Sequence, residues 1–169
     1  SEMCIRDRSM EERMTICNMS IEGGARCGYI NPDEKTYTYM KDKLCSPKNE
    51  NWEKAVNWWK SLESSDNCIY DDVFKLDASK VEPTITWGIT PGQSIGVNQK
   101  IPSLNEIDPN DQFIAGEAYE YMGFKPGQSI KNTPIDVCFI GSCTNGRISD
   151  LRVAAQVLEH QKVAKNIKA

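Results

Sequence analysis

Ile135-Asp136-Val137-Cys138-Phe139-Ile140-Gly141-Ser142-Cys143-Thr144-Asn145-Gly146-Arg147-Ile148-Ser149-Asp150-Leu151-Arg152 is the stretch from which the fold class is read. Residues 135–140 are mostly apolar, partly β-branched and end at a glycine, the pattern of a buried strand. Residues 141–146 are small and polar, the chemistry of a tight loop. Ile148, Leu151, Ala154, Ala155 and Leu158 then recur at helical spacing, with Asp150 favourably placed in the first turn. The order strand, loop, helix predicts an α/β chain. It also places Cys143 near backbone N–H groups and the positive end of a helix dipole, a setting that favours the thiolate. Thiolate is the form of cysteine that binds metal or attacks carbon.

Working outward, the composition narrows the function classes. The 169 residues suffice for one large or two small domains, and 39% hydrophobic with 26% charged residues allows a core. A net charge of −4 without a basic run argues against nucleic-acid binding. No apolar run reaches the roughly 18 residues of a membrane span, and no signal-peptide core opens the chain. A cytoplasmic protein is expected. Seven cysteines in odd number, with no C-x-x-C pair, predict neither a disulfide framework nor a self-contained zinc site. Any metal held by Cys143 therefore needs partners from elsewhere, and His160 is the one histidine available. The chain starts at Ser1 and stops soon after a helix whose following parallel strand would lie beyond Ala169, so an internal fragment is expected.

Upstream, Ser9 and Glu12 fit a capping box, followed by a helical stripe of Met10, Met14, Cys17, Ile21 and Ala25. Asn18 and Glu22 are four apart and would project together from another face of that helix, which by spacing alone reads first as a solvated face. Asp33 is a plausible cap for a short helix through Met40. Trp52, Ala55, Val56, Trp59 and Leu62 predict an amphipathic helix whose tryptophans serve packing. Residues 70–76 and 83–87 read as strands, 88–93 as a loop lacking the ending of a phosphate loop, and 98–112 as a linker. A helix over 113–122 stops at Gly123, with Phe124 and Pro126 beyond it.

From chemistry alone Cys143 has three readings: one ligand of a metal or iron–sulfur centre, a nucleophile with His160 as base, or an inert loop cysteine. The hydrolase elbow is matched only loosely, because glycine is missing two positions after the cysteine.

The run Phe139 to Arg147, with Asp150, Leu151 and Arg152, closely resembles the cluster-ligand signature of the aconitase superfamily. Met14 to Glu22 resembles its second signature. Pro32-Asp33-Glu34, Thr86-Trp87-Gly88 and Tyr121-Met122-Gly123 resemble one branch of it, the large subunits of bacterial-type 3-isopropylmalate dehydratases. The resemblance implies three-layer α/β/α domains, with residues 9–104 the later part of one and 105–169 a linker plus the opening β-α unit of the next. Residues 1–8 have no counterpart in it and are expected to be an artefactual or disordered tail.

What the resemblance implies about function is specific. Cys143 would be one of three cysteine ligands of a [4Fe–4S] cluster, the other two coming from a C-x-x-C that this chain does not contain. Asn18 would contact the cluster and substrate, and Glu22 would be the catalytic carboxylate at the open iron. Cys17 and Cys138 would be packing residues. The implied reaction is dehydration and rehydration that interconverts 2- and 3-isopropylmalate in leucine biosynthesis, with a small swivel-domain subunit as partner. Homoaconitate and methylmalate hydratases share the signatures and stand as alternatives, a cysteine-nucleophile hydrolase as a more distant one. The chain by itself is expected to be inactive.

Overall fold

The computed structural model describes residues 7–169; the tail expected over 1–8 lies, through residue 6, outside the described residues. In chain order the regular elements are α1 (Met10–Met19), α2 (Glu34–Met40), α3 (Glu50–Lys60), a 3₁₀ turn at Ala78–Lys80, β1 (Thr84–Thr86), β2 (Ser94–Gly96), a second 3₁₀ turn at Leu104–Glu106, α4 (Gln112–Met122) and α5 (Ile148–Leu158). Helix and strand are both present, as an α/β chain requires. Two units divide the chain: the described residues up to Lys75 with Phe139–Lys165 and Ala169, and Leu76–Cys138 with Asn166–Lys168.

The first unit is built on capped helices. Glu12 N–H donates to Ser9 Oγ at 3.2 Å and Ser9 N–H donates to Glu12 Oε2 at 2.8 Å, which closes the expected box at the start of α1. The helix ends sooner than its apolar stripe, at Met19. Ser20 N–H still bonds Ile16 O at 3.1 Å, and Ala25 N–H then folds back to Ser20 O at 3.1 Å ahead of further glycine-rich chain. Glu22 therefore sits in a turn and not on the helix with Asn18, because Gly23 and Gly24 favour leaving the helix over extending it. Asp33 caps α2 by accepting from Lys35 N–H at 3.1 Å and Thr36 N–H at 3.2 Å. The same carboxylate takes two bonds of 2.7 Å from Arg13, whose side chain is 3% exposed. That bidentate geometry holds Asp33 well down, to a pKa of about 2. On α3, Trp59 stacks on Tyr37 at 6.2 Å and Trp52 meets Trp59 edge-on at 5.6 Å, whereas Trp58 is exposed.

The second unit encloses an apolar core. β1 and β2 pair antiparallel, with Thr84 opposite Gly96, Ile85 opposite Ile95 and Thr86 opposite Ser94. Their connection is tied by Trp87 N–H to Gln93 O at 2.9 Å and by Gln93 Oε1, which accepts from Ile89 N–H at 2.7 Å and Thr90 N–H at 3.2 Å. These bonds satisfy a buried amide. Trp87, Ile101, Ala115, Ala118, Tyr119 and Ile130 pack together behind the hairpin. Gly123 ends α4 at φ 69°, a left-handed conformation that a glycine adopts without strain. The stretch 98–112, expected as a linker, is part of this core: Ile101 is 1% exposed, its N–H bonds Gln128 O at 2.9 Å, and its carbonyl accepts from Gly127 N–H at 2.8 Å.

Two expected strands are not formed. Residues 70–76 are irregular and exposed, with Phe74 83% accessible, so no partner covers their apolar side chains. Residues 135–140 make a single parallel bridge, Val137 to Lys168, through Cys138 N–H to Lys168 O at 2.8 Å and Lys168 N–H to Asp136 O at 2.9 Å. One bridge is too little pairing to hold a buried strand, and Val137 and Phe139 remain exposed.

Candidate functional site

The loop carrying Cys143 is shaped by its flanks. Gly141 has a φ of 126°, which a side chain would strain. A Cβ added at Gly146 would lie 2.5 Å from the carbonyl oxygen of Ser142, so the loop closes on itself only because residue 146 lacks one. Beyond it, Arg147 N–H donates to Asp150 Oδ2 at 3.0 Å and the Arg147 guanidinium stands 3.6 Å from the same oxygen. The carboxylate thereby serves the first turn of α5, where a negative charge is favoured.

Cys143 is exposed at the tip. Ser142 Oγ and Thr144 Oγ1 each lie 3.8 Å from its sulfur. Hydrogen bonding by Ser142 first, then Thr144, holds the thiol below its ordinary value, against the opposing effects of desolvation and, more weakly, of the negative charge of Glu22. Cys17 behaves oppositely: burial pushes its thiol up, as befits a packing residue.

The loop rests against α1 by two hydrogen bonds between residues far apart in sequence. Thr144 Oγ1 donates to Asn18 Oδ1 at 3.1 Å, and Thr15 Oγ1 donates to Asn145 Oδ1 at 2.7 Å. The Cys143 loop and Asn18, both singled out in the sequence, are therefore in contact, and Glu22 lies in the turn that follows α1. Thr15, Thr144 and Asn145 were not singled out. The available signal was weak: Thr15 lies three residues before Asn18 and so shares its side of α1, and the other two directly follow Cys143.

His160 stands apart, just past α5, at φ 62°. Its ring is 90% exposed and its Nε2 is 3.7 Å from Glu159 Oε1. The base that a thiol-nucleophile reading needs is thus turned to solvent beside an acid. Among the described residues no group of three or more His, Cys, Asp or Glu side chains is placed to hold a metal ion. No helix among them is long and apolar enough to cross a membrane. A separate cavity of about 670 Å³, lined by Arg13, Tyr29, Asp33, Tyr37, Lys60 and Tyr70, lies away from the loop. Its charges face each other, with Arg13 on Asp33 and the Lys60 ammonium 5.8 Å from the Tyr37 ring.

Comparison with known proteins reaches the same region of sequence space. The family described as Aconitase family (aconitate hydratase) matches over residues 3–169. A protein of Prochlorococcus marinus subsp. pastoris named 3-isopropylmalate dehydratase large subunit is 92% identical over 165 residues, which are 98% of this chain and 35% of that protein. A second Prochlorococcus marinus strain has a protein of the same name that is 83% identical over 161 residues, 95% of this chain and 34% of the relative. The Synechocystis protein of that name is 59% identical over 161 residues, 95% of this chain and 34% of its own length. The chain thus spans about a third of the length of the relatives it matches. No solved structure matches it. With the family matched across nearly every residue and relatives this similar, the chain belongs to the aconitase family.

Proposed function

We propose that this chain is part of the large subunit of a cytoplasmic iron–sulfur hydro-lyase that interconverts 2-isopropylmalate and 3-isopropylmalate, acting with a small swivel-domain subunit. The observation that carries the reading is the approach of the Cys143 loop to Asn18 across 126 positions of sequence. The names of the relatives supply the substrate. In the complete protein these residues would sit within three-layer α/β/α domains.

The donor set fits one corner of a [4Fe–4S] cluster. Cys143 presents an exposed sulfur whose ionised form is favoured by the Ser142 hydroxyl foremost, as a thiolate ligand requires. With no other cluster ligand grouped beside it among the described residues, this chain would provide one ligand, the remaining cysteines coming from other parts of the protein. When bound, such a cluster supplies a Lewis-acidic iron that polarises a hydroxyl about to leave. Two residues of this chain would perform part of the rest. Asn18 offers an amide whose oxygen already accepts from Thr144, leaving its N–H groups to orient a substrate carboxylate or hydroxyl. Glu22 lies exposed in a turn, where its carboxylate can take or return a proton at the oxygen that departs and re-adds. Dehydration also removes a proton from the carbon beside the one that loses hydroxide, and rehydration returns one to carbon; that second proton carrier is neither Asn18 nor Glu22 and would come from elsewhere in the complete enzyme, with the small swivel-domain subunit as the expected source.

The test is anaerobic reconstitution of the full-length protein with iron and sulfide, followed by assay with its small subunit against 2-isopropylmalate, homoaconitate and methylmalate. A coloured protein that forms the unsaturated diacid from 2-isopropylmalate, with colour and activity lost in Cys143→Ser, is expected. A colourless, metal-free wild type would overturn the reading, and turnover of another diacid in its place would overturn the substrate.

A further inference from the structure

Cys143, Asn18 and Glu22 come from two places in the chain, and the chemistry proposed for them requires a fixed spacing. The question is what sets that spacing. Cys143 has no packing to anchor it, since its side chain is exposed and its hydroxyl contacts are with its own neighbours in the loop. One long-range hydrogen bond, Thr144 to Asn18, would locate the loop but let it pivot about that bond. A second attachment removes the pivot, and the structure has one. Thr15 meets Asn145 at 2.7 Å, one residue further along the loop and three residues back along α1.

We infer that Thr15 and Asn145 form a positioning pair that orients the Cys143 loop on α1, so that Asn18 is held toward the loop at the angle the reaction uses. The inference rests on the proposed hydro-lyase reading for the word reaction, and on geometry alone for the attachment. Thr15 is tied at both ends. Its Oγ1 is also 2.9 Å from Glu11 O, one turn back along the helix. A hydroxyl has one proton, so Thr15 cannot donate fully to Glu11 O and to Asn145 Oδ1 at once. Turning the Asn145 amide over would let Thr15 donate to the helix and accept from Asn145, fixing the side chain in both directions. Valine in place of Thr15 keeps the shape and removes the hydroxyl, whereas serine keeps the hydroxyl. Neither Thr15 nor Asn145 needs to touch substrate, and both act through the residues they place.

The experiment uses the full-length protein. Hydrogen exchange of the Arg147 and Leu151 amides, which are bonded at the start of α5 where the loop feeds into it, is first measured without iron or sulfide, so that it reports the attachment independently of any cluster. In Thr15→Val these amides are expected to exchange at least about tenfold faster, with Thr15→Ser restoring the slow rate. In the reconstituted enzyme with its small subunit, Thr15→Val is expected to lower kcat by about 10- to 100-fold, the scale for a misplaced reacting group, while KM stays within about threefold. Thr15→Ser should recover most of the loss. Unchanged exchange in Thr15→Val would overturn the attachment, and faster exchange with unchanged kcat would overturn the positioning role, while the hydro-lyase reading survives in either case. A wild type with Thr15-dependent exchange but no turnover of any diacid would defeat the hydro-lyase reading, and the positioning role with it.

Discussion

The region around Trp87 and the region around Cys143 are held together by different forces. In the first, Trp87, Ile101, Ala118 and Tyr119 are buried against one another, and Trp87 and Tyr119 meet at 5.1 Å. Desolvated apolar surface holds it, at about 25 cal/mol per Å² removed from water. In the second, the most buried groups include Arg13 and Ser46, while Ile16, Ile148 and Val157 are exposed. Directed polar contacts hold it: Arg13 on Asp33, Thr144 on Asn18, Thr15 on Asn145 and Arg147 on Asp150. A non-directional core tolerates small shifts, whereas a hydrogen bond fixes geometry and is lost when its partner changes charge or shape. Chemistry that depends on spacing belongs in the second kind of region.

The contrast can be broken from the apolar side first. Trp87→Ala removes the central ring, and a loss of about 4 kcal/mol is expected in the protection of residues 84–130. Hydrogen exchange resolved by peptide checks this, and protection near α1 should stay unchanged. From the polar side, Asp33→Asn removes the carboxylate that takes two 2.7 Å bonds from the nearly fully buried Arg13 and should cost about 3 kcal/mol in the region of α1 and α2. Acid should reproduce part of this without mutation. The Asp33 pKa is depressed from 3.8 to about 2 by the Arg13 hydrogen bonds foremost. Its stabilisation is therefore complete above pH about 4 and fades as pH falls toward about 2, amounting to roughly 2 kcal/mol. The Trp87 core lacks such a pair and should not follow that curve. The smallest effect is expected at Gly146→Ala, where the new Cβ must push the Ser142 carbonyl away. A cost of about 1–2 kcal/mol, confined to faster exchange of the Arg147 and Leu151 amides, would sharpen the view that this loop is set by backbone fit.

The same division decides how much was legible in the sequence. Helix ends are local, and Ser9 with Glu12, Asp33 and Gly123 each announced theirs, because the cap residue and the groups it satisfies lie within a few positions. The 83–87 strand was legible for a similar reason, since its partner follows after a short turn. Residues 135–140 have strand composition, yet a strand exists through its neighbours, and here one bridge is all the pairing they receive. Residues 70–76 fail likewise, their apolar side chains having nothing to cover them. The early stop of α1 before Glu22 was written in Gly23 and Gly24, but the apolar stripe running on to Ala25 outweighed them. At the site, Cys143 was singled out from its loop, and Asn18 and Glu22 through the resemblance. Thr15 and Asn145 were not, since their meaning depends on an encounter across 130 positions that no local pattern encodes.

Ile101 shows how a stretch that looks like a hinge can be the opposite. Its backbone is bonded on both sides to residues 127–128, its side chain is sealed in the core, and its neighbour Pro102 offers a carbonyl to the Tyr119 hydroxyl at 2.7 Å. A protease finds exposed chain just beyond, at residues 104–106 and 108–111. A nick there would sever the covalent path without parting the two pieces, because the piece ending in this clamp stays bound to the piece carrying Tyr119 and Gln128.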